Sequence, residues 1–344
     1  MAPCVPRRYY ANQFGALFDT TMPRVAIIVS SFNRLELLKD ALAALEVVLA
    51  DPRLDGYVVV YDAGSTDGSI GEIERFRMRQ SLDRVRLVAR RPGDDSSFAA
   101  GLNAAGEIAL SELAADYLLF FETDNFVRSA EPFLRALTLL ERDRSIAAAG
   151  FTVRKRDGAR TGFGEPFPTT LSFVLGQQLS EWLGMTDPRV KWLEGGDGVG
   201  RFGFCDIVYT SPLVMRAATW RDLGGMDAAA FPFSDSDLDL AFRIRAAGLR
   251  LAVLDDDSVC HDNLGRNSAW SATRAVPFHA ARFRLLRRYR GHAVYWCVPL
   301  LFLRHVVECA ILLLSSRARA IGKPRVRIAL MRSVWAGYRR LQRD

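Results

Sequence analysis

Five short apolar runs, the first four each followed by a stretch of helical periodicity, limit what this chain can become. RVAIIVSS (24–31), GYVVVYD (56–62), VRLVAR (85–90), DYLLFFE (116–122) and SIAAAGFTV (145–153) read as buried strands. Between them the pattern predicts helices over about 35–49, 70–80, 97–113 and 132–141. LRLAVLD (249–255) is a late strand. Strands alternating with helices of this length make βαβ units, an α/β fold with a mainly parallel sheet. Right-handed crossovers then bring the carboxyl ends of the strands to one edge, where ligands of open α/β sheets bind. The middle, 154–210, is less regular. Its segment EGGDGVGRFGF (194–204) is too loosely spaced for a dinucleotide loop and reads as a mobile substrate-side loop.

Three acidic stations fall on that frame. DAGSTDGS follows the second strand, and a carboxylate at its tip, Asp62, can accept from a pyrimidine N–H or a ribose hydroxyl. The same residues also serve as turn and cap material. Glu122 and Asp124, in FFETDNF after a fully apolar strand, suit an octahedral cation that keeps waters and bridges two phosphates. Hard oxygen ligands favour Mg²⁺ or Mn²⁺. The third station is SDSDLDLAFRIRAAG, where Leu238, Phe242 and Ala246 form a buried stripe and Gly248 ends the helix. One acid satisfies a cap; three within five residues exceed that need, and a general base at the helix start fits. His261, just past the late strand, is a further candidate ligand.

Charge is divided sharply. Residues 266–344 hold 17 Lys and Arg against Glu308 and Asp344, a charge of +15, which leaves −8 on the remainder of a +7 chain. The acidic part carries the chemistry and the basic part faces a polyanion or an anionic surface. HAARFRLLRRYRG (279–291) is basic and amphipathic. AVYWCVPLLFLRHVVECAILLL (293–314) is long enough to span a bilayer, but Arg304, His305 and Glu308 lie at its middle. A charge there costs about 2.5–3.5 kcal/mol, so in-plane helices are expected. In 325–343, Val326, Leu330, Val334 and Tyr338 share a face among arginines, the pattern of a helix on anionic lipid. The competing reading packs the tail on the main domain or on a second copy in a homo-oligomer. Long aliphatic runs argue against nucleic acid. The five cysteines are scattered, with no CxxC pair, which points to a reducing compartment and away from zinc. MAPCVPRRYY lacks the apolar core of a secretory signal, and Met22 is a second candidate start.

With these residues placed, the chain resembles the inverting glycosyltransferases of family 2, of GT-A fold, and within them the bacterial rhamnosyltransferase-like, cell-surface glycan type. AIIVSSFNR is similar to the family's first strand and P-T-Y-N-R turn, and DAGSTDGS to D-N-G-S-T-D-G-S. ETDN stands at the acid-x-acid position. LGGMDAAAFPFSDSDLDLAFRIRAAG resembles the G-G-F-D and E-D-x-D-L motifs, and HDNLGRNS the His that follows. The match runs from about Pro23 to Ser268. It implies three regions: an extension over 1–21, a catalytic domain over 22–265 and a basic helical, membrane-associating region over 266–344. It further implies that Ser31, Asn33, Arg34, Asp62, Ser65, Glu122 and Thr123 face the nucleotide. Asp124, with Glu122 and His261, would face a Mg²⁺ or Mn²⁺ ion, and Asp237 would be the base, with Asp235 the alternative. The family's Glu before the base is Ser236 here. QLSEW (178–182) precedes the base and lacks the Arg of the processive Q-x-x-R-W motif, which argues against polymer synthesis.

The implied reaction is transfer of a sugar from a UDP-, dTDP- or GDP-sugar to a hydroxyl of a lipid-linked or cell-surface glycan. The expected place is the cytoplasmic face of the plasma membrane, with the protein peripheral. Two alternatives remain. A nucleotidyltransferase would need a Gly-rich basic loop after the first strand, which SSFNRLE lacks. A catalytically impaired, transferase-like membrane adaptor is the non-enzyme reading, kept open by Ser236.

Overall fold

The computed structural model describes residues 22–91, 93–161, 163–262, 272–314 and 324–341. The expected extension over 1–21 lies outside them.

Apolar runs buried on both faces, alternating with amphipathic helices, build the first units: β1 Arg24–Ser31, α1 Leu35–Leu49, β2 Asp55–Asp62, α2 Ser69–Gln80, β3 Val85–Ala89, α3 Phe98–Ser111 and β4 Tyr117–Phe120. After β4 come β5 Asn125–Phe126, α4 Glu131–Arg142, β6 Ile146–Phe151 and β7 Val153–Arg154. The middle consists of short pieces: β8 Arg160–Thr161, β9 Gly164–Glu165, α5 Thr170–Leu175, α6 Gln177–Trp182 and β10 Leu193–Glu194. Then follow β11 Arg201–Cys205, β12 Ile207–Val208, β13 Leu213–Arg216, α7 Ala217–Leu223, α8 Ser236–Ala246, β14 Arg250–Leu254 and β15 Cys260–His261. The tail holds α9 Ala272–Arg290, a 3₁₀ turn Gly291–Trp296, α10 Cys297–Leu314 and α11 Pro324–Leu341.

The main sheet has nine strands in the order β10-β11-β14-β6-β13-β4-β1-β2-β3. β13 and β11 run against the other seven. Ser31 pairs with Asp62, and Phe121 N–H donates to the Ile28 carbonyl, so the chain leaving β1, β2 and β4 emerges at one edge. Alternate residues of β1 face opposite layers. Val25, Ile27 and Val29 pack with Leu38, Leu42 and Leu45 of α1 and Phe133, Leu137 and Leu140 of α4. Ala26 and Ile28 pack with Ala99, Leu102 and Ala105 of α3 and Leu238 and Ala241 of α8. α3 lies close to the sheet because it is small-sided: a Cβ at Gly101 would meet the Tyr61 ring at 2.6 Å.

The structure departs from the sequence expectations in three places. The expected mobile loop 194–204 contains β11, which hydrogen-bonds antiparallel to β14 in the main sheet. The fifth run divides into β6 and β7 at Thr152, whose hydroxyl donates to the Asp256 carbonyl. The fourth strand stops at Phe120, and Glu122 begins a turn closed by Asn125 N–H on its carbonyl.

α9 is no free appendage. Its Ala281 and Leu285 are buried in the same core layer as α3 and α8. One helical stretch among the described residues, Val276–Leu314, is long and apolar enough to cross a membrane by length and composition. The charges of its second half turn toward the chain, however. Arg304 pairs with Glu308 at 3.0 Å and donates to the Phe173 and Val174 carbonyls of α5, and His305 is buried beside Glu308. Trp296, Leu300, Leu303, Val307, Ile311 and Leu314 are exposed. Between α10 and α11 lies an apolar groove of about 1290 Å³, lined by Trp296, Phe302, Val306, Ile328 and Trp335 among others. Val326, Leu330 and Val334 share one face of α11, but that face, expected on lipid, is buried against the chain's own helices, while the Tyr338 side chain lies outside those described.

Candidate active site

The turns after β1 and β2 are laced together. Asn33, at φ +50, donates its N–H to Ser65 Oγ at 2.9 Å and accepts Thr66 N–H on Oδ1 at 2.8 Å. Asp67 accepts the Leu35 N–H at the start of α1. Asp62 is fully buried. Its Oδ1 accepts the N–H groups of Gly64 and Ser65, and its Oδ2 accepts Ser65 Oγ–H at 2.7 Å. Three of the roughly four acceptor sites of a carboxylate are therefore used inside the loop. The turn-holding task of DAGSTDGS is thus fulfilled, and Asp62 and Ser65 set the shape of the edge.

Beside this loop stands the second station. Arg34 Nη1 lies 3.1 Å from Asp124 Oδ2. β15 pairs antiparallel with β5, His261 opposite Asn125, and the Asp262 N–H donates to the Asp124 carbonyl. That pairing brings His261 Nδ1 to 3.4 Å from Asp124 Oδ1. Ser211 Oγ, 3.0 Å from the same ring nitrogen and 3.1 Å from Asn125 Oδ1, fixes the ring. Thr210 Oγ1 reaches Glu122 Oε1 at 3.4 Å. Burial, then the neighbouring Asp124 carboxylate, pushes the Glu122 carboxyl well above the usual carboxylate range. Thr123 is buried between the two acids.

The four buried side-chain polar atoms without a hydrogen-bond partner among the described residues include Ser31 Oγ, Asp124 Oδ1 and Asn125 Nδ2. Three of four thus belong to the ends of β1 and β4. An orphaned buried acceptor costs about 1–3 kcal/mol and marks a place where an ion or ligand completes the bonding. No three His, Cys, Asp or Glu side chains among the described residues converge closely enough to enclose an ion alone. The expected trio of Asp124, Glu122 and His261 is therefore no closed cage. An open site on Asp124 and His261 fits a cation that takes its remaining ligands from phosphates and water.

At α8 the three acids separate by partner. Asp235, at φ +59, receives both Arg282 Nε, at 2.8 Å, and Nη2, at 3.1 Å. Asp239 is fully buried and held by Arg243, Arg288 and the Tyr289 hydroxyl. Asp237 accepts only from the adjacent Leu238 N–H in the hydrogen bonds resolved here. Burial, followed by the Asp235 charge, pushes Asp237 up to about 6. That is a carboxyl poised for general-base work near neutrality. Glu165 of β9 and Tyr209, joined by a 2.5 Å hydrogen bond, complete this side. Asp235, the alternative base in the sequence reading, is occupied by an arginine.

Sequence reasoning missed Arg282, Arg288 and Tyr289, which were read as facing lipid, and also Glu165, Tyr209 and Ser211. The −8 charge of the preceding chain was the available signal that some tail arginines turn inward.

With this geometry, the chain is similar in fold to solved glycosyltransferases. The mannosyltransferase PcManGT from Pyrobaculum calidifontis, solved in complex with GDP-Man and Mn²⁺, matches with a TM-score of 0.53 at 20% identity, over 92% of this chain and 86% of that one. GalNAc-T7, solved with UDP, GalNAc and Mn²⁺, matches with a TM-score of 0.53 at 10% identity over 77% of this chain. This chain spans about half of GalNAc-T7, 48% of that structure. The fold is the GT-A glycosyltransferase fold. No protein-family model and no curated protein matches the sequence. At these identities the likeness is one of architecture, and the chemistry must be argued from the side chains.

Proposed function

We propose that this chain is an inverting sugar transferase of the family-2 kind, acting from a nucleotide-sugar donor on a hydroxyl acceptor. The observation that carries the reading is a pair of acids with unused acceptor capacity, one beyond β4 and one at the start of α8. Asp124 has an orphaned oxygen beside Arg34 and His261, and Asp237 is the acid of α8 that no arginine holds.

The donor diphosphate would lie over Arg34 and Asp124, with the nucleoside in the loops of Ser31, Asn33, Asp62 and Ser65. A divalent cation, Mg²⁺ or Mn²⁺, held by Asp124 and His261 would supply positive charge to the leaving diphosphate. Burial favours the protonated form of Glu122, which would donate to a ribose or phosphate oxygen. Asp237 takes the proton of the acceptor hydroxyl as its oxygen attacks the anomeric carbon. The bond from that carbon to the diphosphate breaks with its electron pair leaving on phosphate oxygen, through an oxocarbenium-like state. One displacement inverts the anomeric centre. These two similar structures were solved with GDP-Man and with UDP respectively, so guanosine and uridine donors both belong in the first trial.

The acceptor we propose is a lipid-linked or cell-surface glycan, met at the cytoplasmic face of the plasma membrane by a peripheral protein. Support comes from α10, whose charges turn to α5 while its apolar side faces outward. The tail's +15 charge suits an anionic leaflet. A panel of UDP-, dTDP- and GDP-sugars tests the reading. One class should be hydrolysed with Mn²⁺ or Mg²⁺, and EDTA should stop it. Hydrolysis unaffected by EDTA contradicts the cation's role, and no hydrolysis of any donor contradicts the transferase reading.

A further inference from the structure

The first helix of the basic tail reaches the acids that flank the base. Arg282 makes a two-pronged bond to Asp235, whose carboxylate is 3% exposed. Asp235 stands in the left-handed region, which a residue with a Cβ occupies only under restraint. It also directly precedes the first turn of α8, two residues before Asp237. Two turns further along α9, Arg288 and Tyr289 bind Asp239. Leu285, between these contacts, is fully buried in the sheet core. α9 therefore grips the acid on each side of Asp237 and leaves the middle one open.

We propose that Arg282 is a positioning residue for the Asp237 base: it neutralises Asp235 and fixes the first turn of α8, so that the acceptor proton goes to Asp237 alone. This rests on the reading of Asp237 as the base. The charged and titratable groups facing Asp237 are Asp235 on its own helix, Glu122 after β4, Glu165 of β9, Tyr209 after β12 and Arg282 of α9. Arg282 is the cation of that set. Without it, Asp235 stays beside the base as an uncompensated like charge. A charge at this range moves a carboxyl by about 1–3 units. Arg282 lies 47 residues from Asp235 in sequence, in the segment that continues into α10, so the outward-facing apolar helix and the base are mechanically joined.

The test uses the full chain labelled with ¹³Cγ-aspartate, the Asp237 signal being the one lost in Asp237→Asn. Arg282→Gln should raise the Asp237 midpoint by about one unit. Arg282→Gln combined with Asp235→Asn should return it to the wild-type value or below. Asp235→Asn alone should lower it, which keeps the test open if Arg282→Gln does not fold. This readout needs no donor, so it separates failure of this proposal from failure of the transferase reading. With Mn²⁺ and the sugar nucleotide that wild type hydrolyses fastest, Arg282→Gln should cut kcat about tenfold or more with KM nearly unchanged. Arg282→Lys should recover part of the loss. A midpoint that stays put in folded Arg282→Gln, or that fails to fall in Asp235→Asn, overturns the proposal. So does a kcat loss that Arg282→Lys leaves unrelieved while the midpoint is unmoved.

Discussion

Asp237 differs from Asp235 and Asp239 in what reaches it, and the difference is measurable. Asp237→Asn should lower kcat by orders of magnitude and leave donor affinity nearly intact, because the base acts in the transition state. Steady-state kinetics with separate donor-binding titration checks this. A base works deprotonated, so with Asp237 near 6 the rate should fall as pH drops through about 6 and level off above it. Asp124→Ala should abolish turnover without unfolding the chain, since it removes an acid whose Oδ1 has no hydrogen-bond partner. The acids were legible in the sequence because apolar strands ending in carboxylates are conspicuous. Their partners were not. Arg282 and Asp235 are joined by tertiary packing across 47 residues, and neither spacing nor periodicity encodes that contact.

Elements with long, regular burial patterns were legible in the same way. α1 runs over Leu35–Leu49, as its apolar spacing predicts, and β1 to β3 follow their β-branched runs. β13 and β11 were not seen as strands. Each is five residues or fewer and enters the sheet antiparallel. Gly203 weakens the strand signal of β11, yet a Cβ there would stand 2.2 Å from Val190, so the packing itself requires the glycine. α9 was read by its charge as a surface helix, although its apolar positions face the core. The expected division at residue 265 lies outside the described residues, but α9 beyond it belongs to the packed layer. Leu285→Ala should therefore destabilise the whole chain by about 2–5 kcal/mol in a denaturant titration. A change below about 0.5 kcal/mol, the range of surface substitutions, would contradict that packing.

At the scale of the whole molecule, an acidic GT-A sheet and a basic helical tail meet through Arg282 and Arg288, and the tail's outer side remains apolar. Full-length protein should sediment with anionic vesicles, and high salt should release only part of it, because screening acts on charge and not on buried area. Replacing Leu303 and Ile311, both exposed on α10, by Ser should remove the salt-resistant part. Equal sedimentation of this variant would show that the apolar side serves a different partner. The central claim, a single displacement driven by Asp237, has one direct measurement: ¹H NMR of the sugar first released from an α-linked nucleotide donor. The account predicts that the β anomer appears first and that Asp237→Asn removes it while donor still binds. An α anomer appearing first, or undiminished release by Asp237→Asn, would contradict it.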